Sequence, residues 1–277
     1  MLSRSHSRLM FLVCTLFTLF ILGILGLVIG YLLSIGVSSL SWGFFTRLPT
    51  GDPIDAGGMK HAIVGTAVLI GLASAVGVPL GMLAGVYLAE YGNEWFLAGP
   101  VRFISDVLAG VPSIVVGILG YELLVVPMGH YSGWAGAMAL AFIMVPIVAR
   151  TTEEMLRLVP NSYREASIAL GASKARTILR VVVPSATGSI VTGIMLAIAR
   201  VAGETAPLLF TALGSRFLTL DPNHEFPSLT DQIYKYATGP YPGPKKLAWA
   251  GILVLISLIF VLNLAIRYVA RPKRVAG

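Results

Sequence analysis

Long apolar runs separated by short polar segments dominate the chain. Six of them, approximately Leu9–Ile35, Ala62–Leu88, Arg102–Met128, Trp134–Ala149, Gly188–Ala212 and Leu247–Tyr268, are suited to crossing about 30 Å of hydrocarbon at roughly 1.5 Å per residue, the fourth being the shortest. The pattern predicts an all-α, polytopic membrane protein whose single transmembrane domain covers residues 1–277. A charged, helix-prone loop at about 150–185 separates the fourth and fifth runs, and a proline-rich loop at about 213–246 separates the fifth and sixth. Gly77, Gly81 and Gly85 recur every fourth residue in the second run, and Ser113 and Gly117 continue the spacing in the third. Small residues at that period let helix backbones approach closely in lipid, and packing within one bundle is the expectation here rather than a dimer seam.

Composition agrees with this reading. The 277 residues are 56% hydrophobic and 12% charged, with a mean hydropathy of +0.83, where a soluble domain carries roughly 25% charge. The single Cys14 lies within the first run and excludes an internal disulfide framework and a cysteine metal cluster. His6, His61, His130 and His224 are scattered without metal-ligand spacing.

The net charge of +7 reflects basic residues flanking apolar runs rather than a nucleic-acid surface. The first run is about twice the usual length of a secretory signal core, so it reads as an uncleaved first span. With the N-terminus inside, cytoplasmic segments hold 13 of the 20 Lys and Arg, among them Arg4, Arg8, Arg267, Arg271, Lys273 and Arg274, and outer loops hold six. Both termini are therefore expected in the cytoplasm. The loop at 89–101 carries Glu90 and Glu94 against this trend.

Arg200 and Glu204 are the unexpected residues. They lie one helical turn apart in the fifth run, Arg200 about 12 residues or roughly 18 Å from its start. A charge at the bilayer centre costs about 2.5–3.5 kcal/mol on insertion scales, so two of them point to a polar path. Pro207 cannot donate to the carbonyl of Gly203, and the helix is expected to bend there and free polar backbone beside Glu204. Mutual pairing of the two charges to hold helices together is the competing reading, although a buried ion pair stabilises poorly once desolvation is counted. A guanidinium matches an oxyanion's bidentate geometry, which favours Arg200 attracting a passing anion while Glu204 holds it and limits the grip. Pro112 offers a second helix break, with Gly110 and Ser113 leaving backbone accessible. Arg150 is a candidate exit-side contact or a positive-inside anchor, and Asp106 and Glu122 are weaker candidates.

The inner loop reads Pro160-Asn161-Ser162-Tyr163-Arg164-Glu165-Ala166-Ser167-Ile168-Ala169-Leu170-Gly171, then nine residues, then Val181-Val182-Val183-Pro184. The residues predict a short helix after Pro160, a turn at Gly171 and a second helix stopping before Pro184. In the other loop, Ser228 is a predicted helix N-cap and Gly239–Pro244 a set of rigid turns.

Glu165, Ala166, Gly171 and Pro184 fall at the spacing of the EAA motif, so the segment resembles the coupling loop of permease subunits in ABC importers. Ser167, Val181 and Val183 depart mildly from that motif. Arg200-Val201-Ala202-Gly203-Glu204-Thr205-Ala206-Pro207-Leu208-Leu209 and Leu108-Ala109-Gly110-Val111-Pro112-Ser113-Ile114-Val115 resemble the phosphate-specific, PstA-type permeases. The resemblance covers most of the chain from about residue 60. It implies the type I ABC importer permease fold and a multi-pass protein of the prokaryotic inner membrane. It implies four kinds of partner: a second permease, an ATPase dimer, an external phosphate-binding protein and the bilayer. ATP and Mg would sit on the ATPase subunits. The chain has no GxxxxGK[ST] phosphate loop and no nucleophile–base arrangement, so neither a cofactor nor catalysis is expected of it. Permeases for molybdate or sulfate, an ion-coupled secondary transporter and a structural or signalling subunit are the alternatives.

Overall fold

A computed structural model describes residues 4–92, 96 and 98–269. The helices are α1 (Arg4–Ser39), α2 (Trp42–Thr46), α3 (Lys60–Glu90), α4 (Ala98–Gly110), α5 (Ser113–Met128), α6 (Gly133–Arg157), α7 (Asn161–Ala169), α8 (Lys174–Ala202), α9 (Ala206–Thr211), α10 (Leu229–Thr238) and α11 (Pro242–Val269). Helices α1, α3, α6, α8 and α11 are long and apolar enough to cross a membrane, and α4 with α5 makes a sixth span bent by 104°. Glu94, Arg271, Lys273 and Arg274 lie outside the described residues, as do the side chains of Arg4, Arg8 and Arg267.

The spans differ from the apolar runs where proline and glycine intervene. The third is not one helix: α4 ends at Gly110, Pro112 occupies the cap position of α5, and the chain turns sharply between them. The fourth is not short, because α6 continues past Ala149 through the polar residues to Arg157. The fifth starts earlier and ends sooner than its apolar run, at Ala202 rather than Ala212. Pro184 stops nothing. The helix runs on through it, with a π-helical turn over Ile178–Val182 just before the proline that accommodates its missing N–H within the continuous helix. Pro242 and Pro244 likewise fall in the first turn of α11 instead of forming separate turns.

Helices α3 and α6 pack most closely, as the glycine stripe predicted. A Cβ on Gly81 would lie 2.7 Å from Val148 Cβ and 2.9 Å from the Val145 carbonyl, and one on Gly77 3.1 Å from Met144. The stripe is therefore a seam inside the bundle. Leu69, Ala73, Val116, Leu140, Met144, Val148, Ala197, Val201 and Leu208 form the main core between α3, α5, α6, α8 and α9. Helix α1 stands apart, touching α11 where Gly36 meets Leu253 and where Tyr31 and Trp249 stack edge to face at 5.6 Å.

At about 46 Å for 31 residues, α3 spans the whole bundle. One of its ends meets α10: Thr66 Oγ1 accepts from the Leu229 N–H at 2.7 Å, and Gly65 lies against the Pro227 carbonyl. Ser228 caps α10 as expected, its hydroxyl accepting from the Asp231 N–H at 3.2 Å. Ser228→Ala should cost about 1 kcal/mol, visible as a lower Tm in detergent, and an unchanged Tm would contradict the cap's contribution.

Buried Asp231 pairs with Lys235 at 2.9 Å, and Lys235 also donates to the Leu213 carbonyl, fastening a turn in which Leu213 adopts φ 57°. Burial pushes the Asp231 carboxyl above its ordinary range, with the Lys235 ammonium opposing. The folded state then keeps this proton to higher pH than the unfolded chain does. Its stabilising contribution falls as pH rises from about 4 through the raised folded value. Asp231→Asn should flatten that part of the Tm–pH curve, and an identical slope in both proteins would refute the assignment.

Candidate functional site

Two interruptions in the helices meet near the middle of α6. On one side, α4 gives way to α5 at Val111–Pro112. On the other, α8 ends at Ala202 and α9 begins at Ala206. Between them lies a cleft lined by Leu108, Ala109, Val111, Ser113, Ile143, Ile147, Arg200 and Glu204. Ile143 and Ile147 lie ten and fourteen residues into the 25-residue α6, so the cleft is at mid-depth.

Arg200 reaches this depth by a different route from the one expected. It occupies the last turn of α8, not the middle of a continuous helix. Gly203 caps that helix, Glu204 follows it, and Pro207 opens α9 where its missing N–H costs nothing. The i, i+4 face shared by Arg200 and Glu204 is thus lost, yet both side chains line the same cleft. No ion pair joins them among the described residues. What fixes Glu204 is its backbone carbonyl, which accepts from the Thr230 hydroxyl of α10 at 2.9 Å. That tie runs from the cleft to the α10 end of the bundle.

The third-span break contributes Ser113, the first residue of α5. The opening N–H groups of a helix lack intrahelical acceptors and carry its positive dipole end. A guanidinium, a hydroxyl and a helix N-terminus, which suit an anion, therefore share one site with the Glu204 carboxylate, which opposes it. In this conformation the cleft encloses about 10 Å³, space for about one water.

Arg150 is not part of this cleft. It lies seven residues before the end of α6, paired with Glu154 at 2.8 Å and with Asp106 of α4 at 3.6 Å. Asp106 is thereby a partner of Arg150, and Glu122 lies within a π-helical turn of α5. A buried carboxylate in this region is Glu153. It accepts from Arg102 and Arg157 at 2.7 Å each, and Arg102 also donates to the Leu88 carbonyl. Sequence reading passed over this network; its one signal was Glu153 four residues before Arg157.

The loop carrying the motif forms a helical hairpin. Helix α7 ends in a Schellman arrangement, with Gly171 at φ 82°, its N–H bonded to the Ile168 carbonyl and the Ala172 N–H to the Ser167 carbonyl. Glu165, Ala166, Ile168 and Leu170 reach the surface, Leu170 being 89% exposed. Ser167 faces inward, its hydroxyl 2.8 Å from that of Thr177 in α8. Among the described residues no cluster of three His, Cys, Asp or Glu side chains could hold a metal ion.

Residues 77–275 match the family of binding-protein-dependent transport system inner membrane components. The chain belongs to that family. It is 46% identical over 239 residues to the phosphate transport system permease protein PstA of Yersinia pestis, covering 86% of this chain and 81% of that one. It is 43% identical over 243 residues to the same-named protein of Haemophilus influenzae, covering 88% and 86%. The fold of this family member resembles the inward-facing MetNI methionine ABC transporter, with a TM-score of 0.63 at 19% identity over 77% of this chain and 96% of that chain. An alginate-importing bacterial ABC transporter gives 0.59 at 14% identity, over 77% and 79%. The architecture is therefore that of a type I ABC importer permease, a multi-pass membrane protein.

Proposed function

We propose that this chain is the permease subunit of an ATP-driven phosphate importer, forming part of the translocation path and the contact with a separate ATPase. The observation that carries the reading is Arg200, a cation with no ion-pair partner among the described residues, lining a narrow mid-depth cleft beside Ser113 and the N-terminus of α5. The names of its close relatives supply phosphate as the anion.

Arg200 draws the anion into the cleft by charge-assisted hydrogen bonds. Glu204, four residues on, limits that grip so that the anion can leave. Arg200 is exposed at the surface of the isolated chain, and a second permease subunit closes the path on that side. The α7 end faces the cytoplasm, where Glu165 and Ala166 form the contact with an ATPase dimer and Ser167 and Gly171 hold the shape of the hairpin that presents them. Pro184 keeps the following helix in line. The α10 end faces outward and receives the anion from an external phosphate-binding protein. Both termini are cytoplasmic in the inner membrane. ATP and Mg²⁺ belong to the ATPase subunits.

Phosphate uptake by cells depending on this transporter should be inhibited by excess arsenate and little affected by sulfate or molybdate. Stronger inhibition by sulfate or molybdate would transfer the architecture to another oxyanion.

A further inference from the structure

The last turn of α3 gathers contacts from three other elements. Arg164 of α7 grips Glu90 through Nε at 3.2 Å to both carboxylate oxygens and through Nη2 at 2.6 Å. The same guanidinium donates to the carbonyls of Leu156 and Val159, and so also caps the end of α6. Immediately after Glu90, the Tyr91 ring lies beneath Lys174 at the start of α8, with the ammonium 4.3 Å from its centroid. The Ser167–Thr177 contact joins the two limbs of the hairpin. From α4, Arg102 donates to the Leu88 carbonyl.

Glu90 is poorly placed for any local purpose. An acid in the last turn of a helix opposes the helix dipole, and its side chain is only 6% exposed. Arg164, at 19%, satisfies it with the planar fork that a lysine lacks. We propose that the Glu90–Arg164 pair is a positioning latch, carrying displacement of α7 into α3 and from there into both walls of the Arg200 cleft. The proposal rests on the reading of α7 as the ATPase-facing helix.

The route beyond the latch is rigid. The glycine seam holds α3 to α6 backbone against side chain, without a compressible layer between them. Helix α6 carries Ile143 and Ile147 of the cleft. The Arg102–Leu88 bond ties α3 to α4, which carries Leu108 and Ala109. Movement at Glu90 therefore reaches the walls opposite Arg200, while α8 carries Arg200 itself.

The test uses the assembled transporter bearing Cys14→Ser and a reporter Ala109→Cys in the cleft wall. With the latch intact, ATP should change the rate at which a water-soluble thiol reagent modifies the reporter. Glu90→Gln and Arg164→Gln should each retain the ATPase subunits and their hydrolysis while reducing that change, and phosphate carried per ATP, by about 5- to 100-fold. The double variant should be no worse than Arg164→Gln alone, which also loses the bonds to the Leu156 and Val159 carbonyls, because the Glu90 interaction is already gone in it. Unaltered reporter response in Glu90→Gln would overturn the latch, as would additive losses in the double variant. Loss of ATPase binding in all three variants would also overturn it, reducing the pair to a support of the hairpin. The reporter readout is independent of the solute, so failure of the unmutated complex to carry phosphate rejects the proposed substrate and leaves the latch tested.

Discussion

Arg200→Gln should reduce ATP-dependent phosphate uptake by about 10- to 100-fold, with the transporter present in the membrane at its normal level. The magnitude is that of losing hydrogen bonds to a charged group, about 1.5–3 kcal/mol. Arg200 lies at the end of α8 and is exposed in the isolated chain, so its removal leaves no buried partner unsatisfied and folding is spared. Arg200→Lys keeps the charge and loses the fork, and should fall between Gln and wild type. Uptake assays paired with immunoblots of membrane fractions separate transport from assembly. Undiminished uptake by Arg200→Gln at normal levels would remove Arg200 from the path.

Gly85→Ala should cost substantial stability for the addition of a single methyl group. Its Cβ would sit 2.5 Å from the Ala149 carbonyl and 2.6 Å from Thr152 Cβ, and a backbone atom cannot rotate away. Helices α3 and α6 would have to separate, at the roughly 1–3 kcal/mol typical of overpacking. Gly71 on the same helix faces open space, with nothing within 4 Å of where a methyl group would lie. Gly71→Ala should therefore be neutral or gain up to about 1 kcal/mol from helix propensity. Tm values in detergent for the two variants check this, and equal values would contradict the seam.

Most of the architecture was legible because lipid imposes few solutions: apolar runs become helices, and regularly spaced glycines become seams. Helix ends were less legible. A hydropathy run cannot show that Pro112 turns the chain by 104°, nor that α8 stops at Ala202, since the residues beyond each break stay apolar for burial against other helices. Pro184 misled for the opposite reason, since a π-helical turn over Ile178–Val182 carries the helix into it. The site was half legible. Arg200, Glu204 and Ser113 converge because the two breaks are neighbours in space, whereas Arg150 was drawn away by Glu154 and Asp106. Ile143 and Ile147 carry no chemical mark and emerged only from the packing. Glu90 did leave a trace, as an acid in a loop that charge asymmetry placed on the basic side; the structure supplies Arg164 as its partner.

The central claim is that this chain moves phosphate only as one part of an ATP-driven assembly. Its most direct test is phosphate accumulation in proteoliposomes, comparing the chain alone with the complex of both permeases and the ATPase supplied with binding protein. Accumulation should require the complete complex and hydrolysable ATP. Phosphate accumulation by this chain alone under an ion gradient, without ATP, would contradict the account.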